Sequence, residues 1–147
     1  MRYALRPHAE QSRLCNCTTR FAVVEASRRS GKTERAKRFG VLEAAHPRRV
    51  STSTWFTKYC APTRDQAKDI YWDDLKELSR PWWRKDPQET KLKIFLASGA
   101  EISVVGLDKP ARFEGSPTSR GFFDELAEYK EDALDRHSLP ALDTEIP

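Results

Sequence analysis

Eight consecutive residues constrain this chain more than any other part of it. Ala26-Ser27-Arg28-Arg29-Ser30-Gly31-Lys32-Thr33 fits the pattern G-x-x-x-x-G-K-[ST] at every defined position but the first, where Ala26 replaces glycine. The pattern means little without its setting, which is a buried strand before it and a helix after it. Both are expected here. Phe21-Ala22-Val23-Val24-Glu25 is a short apolar run that reads as a buried strand, and Lys32 to Ala45 reads as a helix. A loop in that position turns successive backbone N–H groups toward a phosphate at the positive end of the helix dipole. Gly31 supplies the torsion freedom for close approach, Lys32 reaches the β- and γ-phosphates, and the Thr33 hydroxyl is placed to ligate Mg²⁺. Ala26, Ser27, Arg28, Arg29 and Ser30 complete the expected nucleotide-binding loop. Arg28 and Arg29 each have two readings. They are ordinary phosphate or solvent charges, or one of them is an arginine finger acting in cis on the transferring phosphoryl group.

The rest of the chain supplies a scaffold for such a loop. Ala36, Phe39 and Val41/Leu42 mark the expected inner face of the first helix, and His46-Pro47 ends it, because the residue before proline is pushed out of the helical region. Trp55 to Ala61 reads as a strand, with Pro62-Thr63 as the turn after it. A second helix follows from about Asp65 to Ser79, with Ala67, Ile70, Tyr71, Leu75 and Leu78 on one buried face. Pro81-Trp82-Trp83 breaks it. The tryptophan pair reads as core packing or docking, the other reading being an exposed pair that stacks bases. Leu92–Ala97 and Glu101–Val105 flank Ser98-Gly99-Ala100, a hairpin signal. Gly106 to Ser119 reads as a loop, Gly121-Phe122-Phe123 as a buried strand, and Leu126 to about Arg136 as a helix. Alternating strands and helices predict one α/β domain over residues 1–147, with a mainly parallel sheet flanked by helices. Too few strands are visible for a complete doubly wound sheet, so the expected domain is incomplete at its C-terminus or completed by another subunit.

Asp124-Glu125, at the expected end of the last strand, suits the second half of an ATPase site. An Asp there positions Mg²⁺ and an adjacent Glu polarises the attacking water. The other reading is two acids favoured by the first turn of a helix.

Charge and cysteine usage set outer limits. The net charge of +4 combines 12 basic and 4 acidic side chains over residues 1–50 with 2 basic and 8 acidic over residues 121–147. A basic front suits a polyanion, nucleotide or nucleic acid. Three cysteines, an odd number, do not suggest a disulfide framework. Cys15-x-Cys17 is too tight for a usual zinc knuckle, so free thiols in a reducing cytoplasm are expected. No apolar run approaches a membrane span, and mean hydropathy is −0.74.

Several segments, in order, resemble the N-terminal ATPase domain of the large terminase subunit of tailed phages, the motor that packages DNA. They are Arg20 to Thr33, Ala61-Pro62-Thr63-Arg64-Asp65-Gln66-Ala67-Lys68, Ile70-Tyr71-Trp72, Gly106 to Gly115, and Arg120 to Ala127. The resemblance implies a P-loop NTPase fold of the ASCE type. Lys32 and Thr33 would bind phosphate and Mg²⁺, Asp124 would position the metal, and Glu125 would be the catalytic carboxylate. It implies ATP and Mg²⁺ as cofactors and double-stranded DNA as the translocated partner. A homo-oligomeric ring, a portal and a small terminase subunit are further implied partners, in the host cytoplasm. Pro7-His8-x-x-Gln11 lies where such motors read adenine, and Gln11 is the residue suited to it; a polar N-terminal turn is the other reading. Thr63-Arg64 resembles a segment that contacts DNA or senses nucleotide, against a plain helix-capping loop. Arg112 is a finger to a neighbouring subunit or a salt-bridge partner. The clustered acids of the family's nuclease domain are not found, so DNA cleavage is not expected. Another helicase-like or translocase-like P-loop ATPase is the competing expectation, and an inactive nucleotide-binding remnant is a third.

Overall fold

The computed structural model describes residues 9, 12, 21–25, 30–46, 54–109, 113, 117–125 and 128–129. Five strands form one sheet in the order β2-β3-β4-β1-β5. They are β1 (Phe56–Ala61), β2 (Trp83–Gln88), β3 (Lys93–Leu96), β4 (Glu101–Gly106) and β5 (Arg120–Phe123). β1 runs parallel to β4 on one side and to β5 on the other, while β2, β3 and β4 are joined antiparallel. The parallel part therefore lies where the acidic pair emerges, and the antiparallel part forms an outer arm. This is the expected α/β class.

Alternation along β1 divides the sheet into two faces. Thr57, Tyr59 and Ala61 point to one, and Tyr59 and Ala61 join Val41, Tyr71, Trp72, Leu75, Ile94, Leu96 and Ile102 in the main core. Two helices cover this face. Helix α1 (Lys32–Ala45) is the predicted one. The second runs from Arg64 to Ser79, one residue longer at its start than expected. It is divided into α2 (Arg64–Ala67), a π-helical turn (Lys68–Trp72) and α3 (Asp73–Ser79). The π turn adds one residue to the winding, and Tyr71 and Trp72 within it are both 1% exposed. On the opposite face Cys60, Val105, Leu107 and Phe113 form a smaller cluster with Phe123 and Tyr129.

Three expectations are corrected. Phe21–Glu25 belongs to no strand and is exposed throughout, with Val23 at 84%. Its apolar composition signals an element that wants cover, and the described sheet provides none. The buried face of α1 is Lys37, Gly40, Val41, Ala44 and Ala45, rotated from the expected one, and Leu42 is exposed. Lys37 can be inside because its ammonium meets Asp74 of α3 at 2.6 Å. Finally β2, reading Trp-Arg-Lys-Asp-Pro-Gln, was not expected as a strand. It is the sheet's outer edge, where charge and proline are what an unpaired edge favours.

Glycine sets the spacing between α1 and the sheet. A Cβ on Gly40 would lie 2.1 Å from the Tyr59 hydroxyl and 2.6 Å from Phe122 Cε2. That hydroxyl donates to the α1 carbonyls of Lys37 at 2.9 Å and Ala36 at 3.1 Å. At its other end Arg120 of β5 forks onto Glu43 of α1 at 2.8 and 2.9 Å. The helix that starts after Gly31 is thus pinned to β1 and β5.

Candidate active site

Gly31 precedes α1 with φ +77° and ψ 14°, the left-handed conformation that glycine adopts without a Cβ penalty. Its carbonyl accepts the first helical hydrogen bond, from Arg35 N at 2.9 Å. This is the torsion the sequence pattern reserves for glycine. Lys32 follows at the exposed start of the helix. Ala26, Ser27, Arg28 and Arg29 lie outside the described residues, as do Gln11 and Arg112.

Thr33 and Asp124 are brought together from 91 residues apart. The Thr33 hydroxyl donates to Asp124 Oδ2 at 2.8 Å. Asp124 holds its place because its backbone N–H continues the β1 pairing onto the Cys60 carbonyl, at 3.2 Å. Its second oxygen, Oδ1, accepts from Glu125 N at 3.1 Å. Glu125 itself sits at φ +59°, an uncommon conformation for a residue with a side chain, and is exposed. The turn is closed by Glu128 N donating to the Glu125 carbonyl at 2.9 Å. Strain of this kind concentrates at functional sites. Lys32 and Glu125, both exposed, are the chain neighbours of the bonded Thr33–Asp124 pair.

Mg²⁺ takes hard oxygen ligands and is usually held by one or two carboxylates together with substrate phosphates. A hydroxyl and a carboxylate oxygen 2.8 Å apart fit that requirement. No group of three or more His, Cys, Asp or Glu suited to a metal occurs among the described residues. A dedicated all-protein cage is not what a magnesium–nucleotide site uses.

The other singled-out residues fall as follows. Thr63 is the N-cap of α2 in a capping box with Gln66. Arg64 Nη2 donates to the Thr90 carbonyl at 2.6 Å, tying α2 to the β2–β3 turn. A Cβ on Gly106 would meet Arg64 N at 2.1 Å, so this corner is packed backbone to backbone. Trp82 and Trp83 pack against the main core, with Trp83 Nε1 donating to Ser79 Oγ at 2.9 Å. Burial pushes the Cys60 thiol well up, which keeps it protonated and inert. Cys15, Cys17, His8 and His137 lie outside the described residues. Burial also raises the Tyr71 and Tyr129 hydroxyls, with the Asp124 charge contributing to both.

Three residues escaped the sequence reading, Arg120, Glu43 and Lys58. The Arg120–Glu43 fork joins the strand that carries Asp124 to the helix that carries Thr33. Lys58 is buried at 1% exposure in the middle of β1. The signal for Lys58 was present, since it interrupts the run from Trp55 to Ala61 with a charge.

Gly31 at the start of α1 and Asp124 at the end of β5 are thus brought to one place on an α/β sheet whose β4-β1-β5 part is parallel. No protein-family model and no curated protein sequence matches the chain. Solved structures do. The large terminase ATPase domain of Thermus phage P74-26 superposes with a TM-score of 0.73 at 21% identity, covering 93% of this chain and 60% of that one. A point mutant of the same domain gives 0.75. The large terminase of another thermophilic bacteriophage, in complex with ATP-gamma-S, gives 0.61 at 17% identity over 81% of this chain and 28% of that one. The chain has the fold of these large-terminase ATPase domains and spans less than two thirds of the length of each. No helix among the described residues is long and apolar enough to cross a membrane.

Proposed function

We propose that this chain is an ATP-binding and ATP-hydrolysing motor domain of a large terminase, acting on double-stranded DNA. The observation that carries the reading is the 2.8 Å bond from Thr33 to Asp124. It joins the two halves that a nucleotide site on this fold needs. The solved structure with ATP-gamma-S supports nucleotide as the ligand class.

In this reading Lys32 reaches the β- and γ-phosphates, and the α1 N-terminus directs its free N–H groups and dipole at them. Thr33 and Asp124 hold Mg²⁺. When bound, the ion neutralises charge on the phosphate oxygens and orients them. Glu125, turned outward by its left-handed backbone, accepts a proton from the attacking water. Arg28 and Arg29 add positive charge to the loop, and Gln11 reads adenine. DNA is engaged through its phosphates and not its bases, since a motor must accept any sequence. A ring of like subunits, the portal and the small terminase subunit are the proposed partners, in the host cytoplasm.

The test is fluorescent-ATP binding with Mg²⁺, for the wild-type chain and Lys32→Ala. Binding in the first that weakens at least about tenfold in the second supports the site; tenfold corresponds to roughly 1.4 kcal/mol. Equal binding by both, in chains that melt cooperatively, overturns it. Stimulation of hydrolysis by duplex DNA then tests the motor.

A further inference from the structure

Lys58 has no part in the chemistry just described, yet it occupies an expensive position. It lies in the middle of β1, the strand between β4 and β5, on the face opposite α1. Its neighbours across the ladders are Ser103 of β4 and Gly121 of β5, one small side chain and none. These leave a slot for the lysine stem. The ammonium donates to the backbone carbonyl of Phe113 and lies 4.2 Å from the centroid of the Phe113 ring. Phe113, itself fully buried, falls between β4 and β5 in the chain. Its ring packs at 5.8 Å on Phe123, and Phe123 packs at 6.5 Å on Tyr129. Phe123 is the residue before Asp124, and Tyr129 follows the Glu125 turn.

An aliphatic side chain would fill the same slot without desolvating a charge, and such replacements are often neutral or stabilising. Holding an ammonium there makes sense where its grip on a particular carbonyl matters. We propose that Lys58 is a positioning residue, anchoring Phe113 so that the Phe113–Phe123–Tyr129 ladder fixes the Asp124–Glu125 end of β5 from beneath. The catalytic part of this rests on the function proposed above; the anchoring part does not. From the α1 face Thr33 holds the strand end and Arg120 the start of the same strand, and Lys58 holds the strand end from the other face. Burial also lowers Lys58 to about 8, with Cys60, Lys93 and Glu101 as the titratable groups that act on it among the described residues.

The experiment compares wild type, Lys58→Met and Lys58→Arg by three readouts. These are ATP turnover, fluorescent-ATP affinity, and hydrogen exchange of peptides covering residues 107–125 without nucleotide. Lys58→Met is expected to lower kcat about tenfold or more while affinity stays within about threefold, as misplacement of a catalytic group does. Exchange should rise over 107–125 and stay unchanged in α1. Lys58→Arg, which keeps a charged donor, should recover most of the turnover. If Lys58→Met does not melt cooperatively, Phe113→Ala serves instead, since it removes the ring and leaves the lysine; the same confined rise in exchange is expected. Unchanged exchange over 107–125, or exchange raised throughout the chain with affinity and kcat falling together, overturns the proposal. A wild-type chain that hydrolyses no ATP counts against the proposed function, and the exchange comparison then decides the anchoring by itself.

Discussion

Gly40→Ala separates packing from helix propensity in a position where the two oppose each other. On propensity alone, alanine in a helix interior should stabilise the protein by about 1 kcal/mol over glycine. The structure predicts the reverse. The new methyl carbon would stand 2.1 Å from the Tyr59 hydroxyl and 2.6 Å from Phe122 Cε2, both on fully or largely covered rings. Tyr59 is 0% exposed and cannot retreat, because Phe122 stacks on it at 4.9 Å and Tyr71 tilts against it at 5.2 Å. Overpacking of this kind costs about 1–3 kcal/mol, and a contact this short belongs at the upper end. Moving α1 outward instead would give up the Tyr59 bonds to Ala36 and Lys37, about 1 kcal/mol together with lost packing. After the propensity gain, a net destabilisation of roughly 2 kcal/mol is expected. Urea denaturation monitored by tryptophan fluorescence reads this as a lower midpoint at unchanged m. The Gly40→Ala/Tyr59→Phe double variant should lose less stability than the two single variants added together, because Tyr59→Phe costs its own hydrogen bonds but also removes the 2.1 Å contact, while the Phe122 contact remains. A Gly40→Ala chain as stable as wild type, or more stable, would refute the argument that Gly40 sets the distance between α1 and the sheet.

Other predictions follow from single contacts. Arg120→Ala breaks the two-pronged bond to Glu43 and the contact of its guanidinium with Phe39 at 5.6 Å. A partly exposed pair of this kind is worth about 1 kcal/mol, so the chemical-denaturation midpoint should fall modestly. Stability should also rise with pH between about 8 and 9. Lys58 loses its proton near 8 when folded and near 10.5 when unfolded, so in that window the unfolded chain binds more protons and the burial penalty is relieved. Above 9.0 the Cys60 thiol, raised by burial, acts in the opposite direction, because the unfolded chain then ionises and the folded one does not. Lys58→Met should remove the rise and keep the fall; a wild-type midpoint that drops steadily from pH 8 to 9 would contradict this.

Where one residue's local torsion or neighbours decide the structure, the sequence was readable. Gly31 announced its left-handed turn, the Lys32–Ala45 helix ran as its pattern indicated, and Thr63 capped the helix it preceded. The Ser98-Gly99-Ala100 hairpin formed with Gly99 at φ +87°. Asp124 was legible as a strand-end acid, but its bond to Thr33 needed the parallel pairing of β5 with β1, which no local pattern carries. Other features depended on partners far along the chain. Lys37 reads as a surface residue until Asp74 is beside it, and this rotated the expected face of α1. Lys58 reads as a flaw in a strand until Phe113 supplies an acceptor and a ring. Strand β2 is polar because it is an edge, a property of the sheet and not of the segment. Phe21–Glu25 shows the converse, since an apolar run states a preference for burial and cannot supply the neighbour that satisfies it.

The account stands or falls on whether Thr33 and Asp124 form a magnesium–nucleotide site. The direct measurement is a fluorescent-ATP titration with and without Mg²⁺, on wild type and Asp124→Asn, with melting curves for both. The account predicts Mg²⁺-enhanced binding by the wild-type chain and loss of that enhancement in Asp124→Asn with the melt preserved. Binding that is indifferent to Mg²⁺ and equal in the two chains, or no binding by a cooperatively melting wild-type chain, would contradict it.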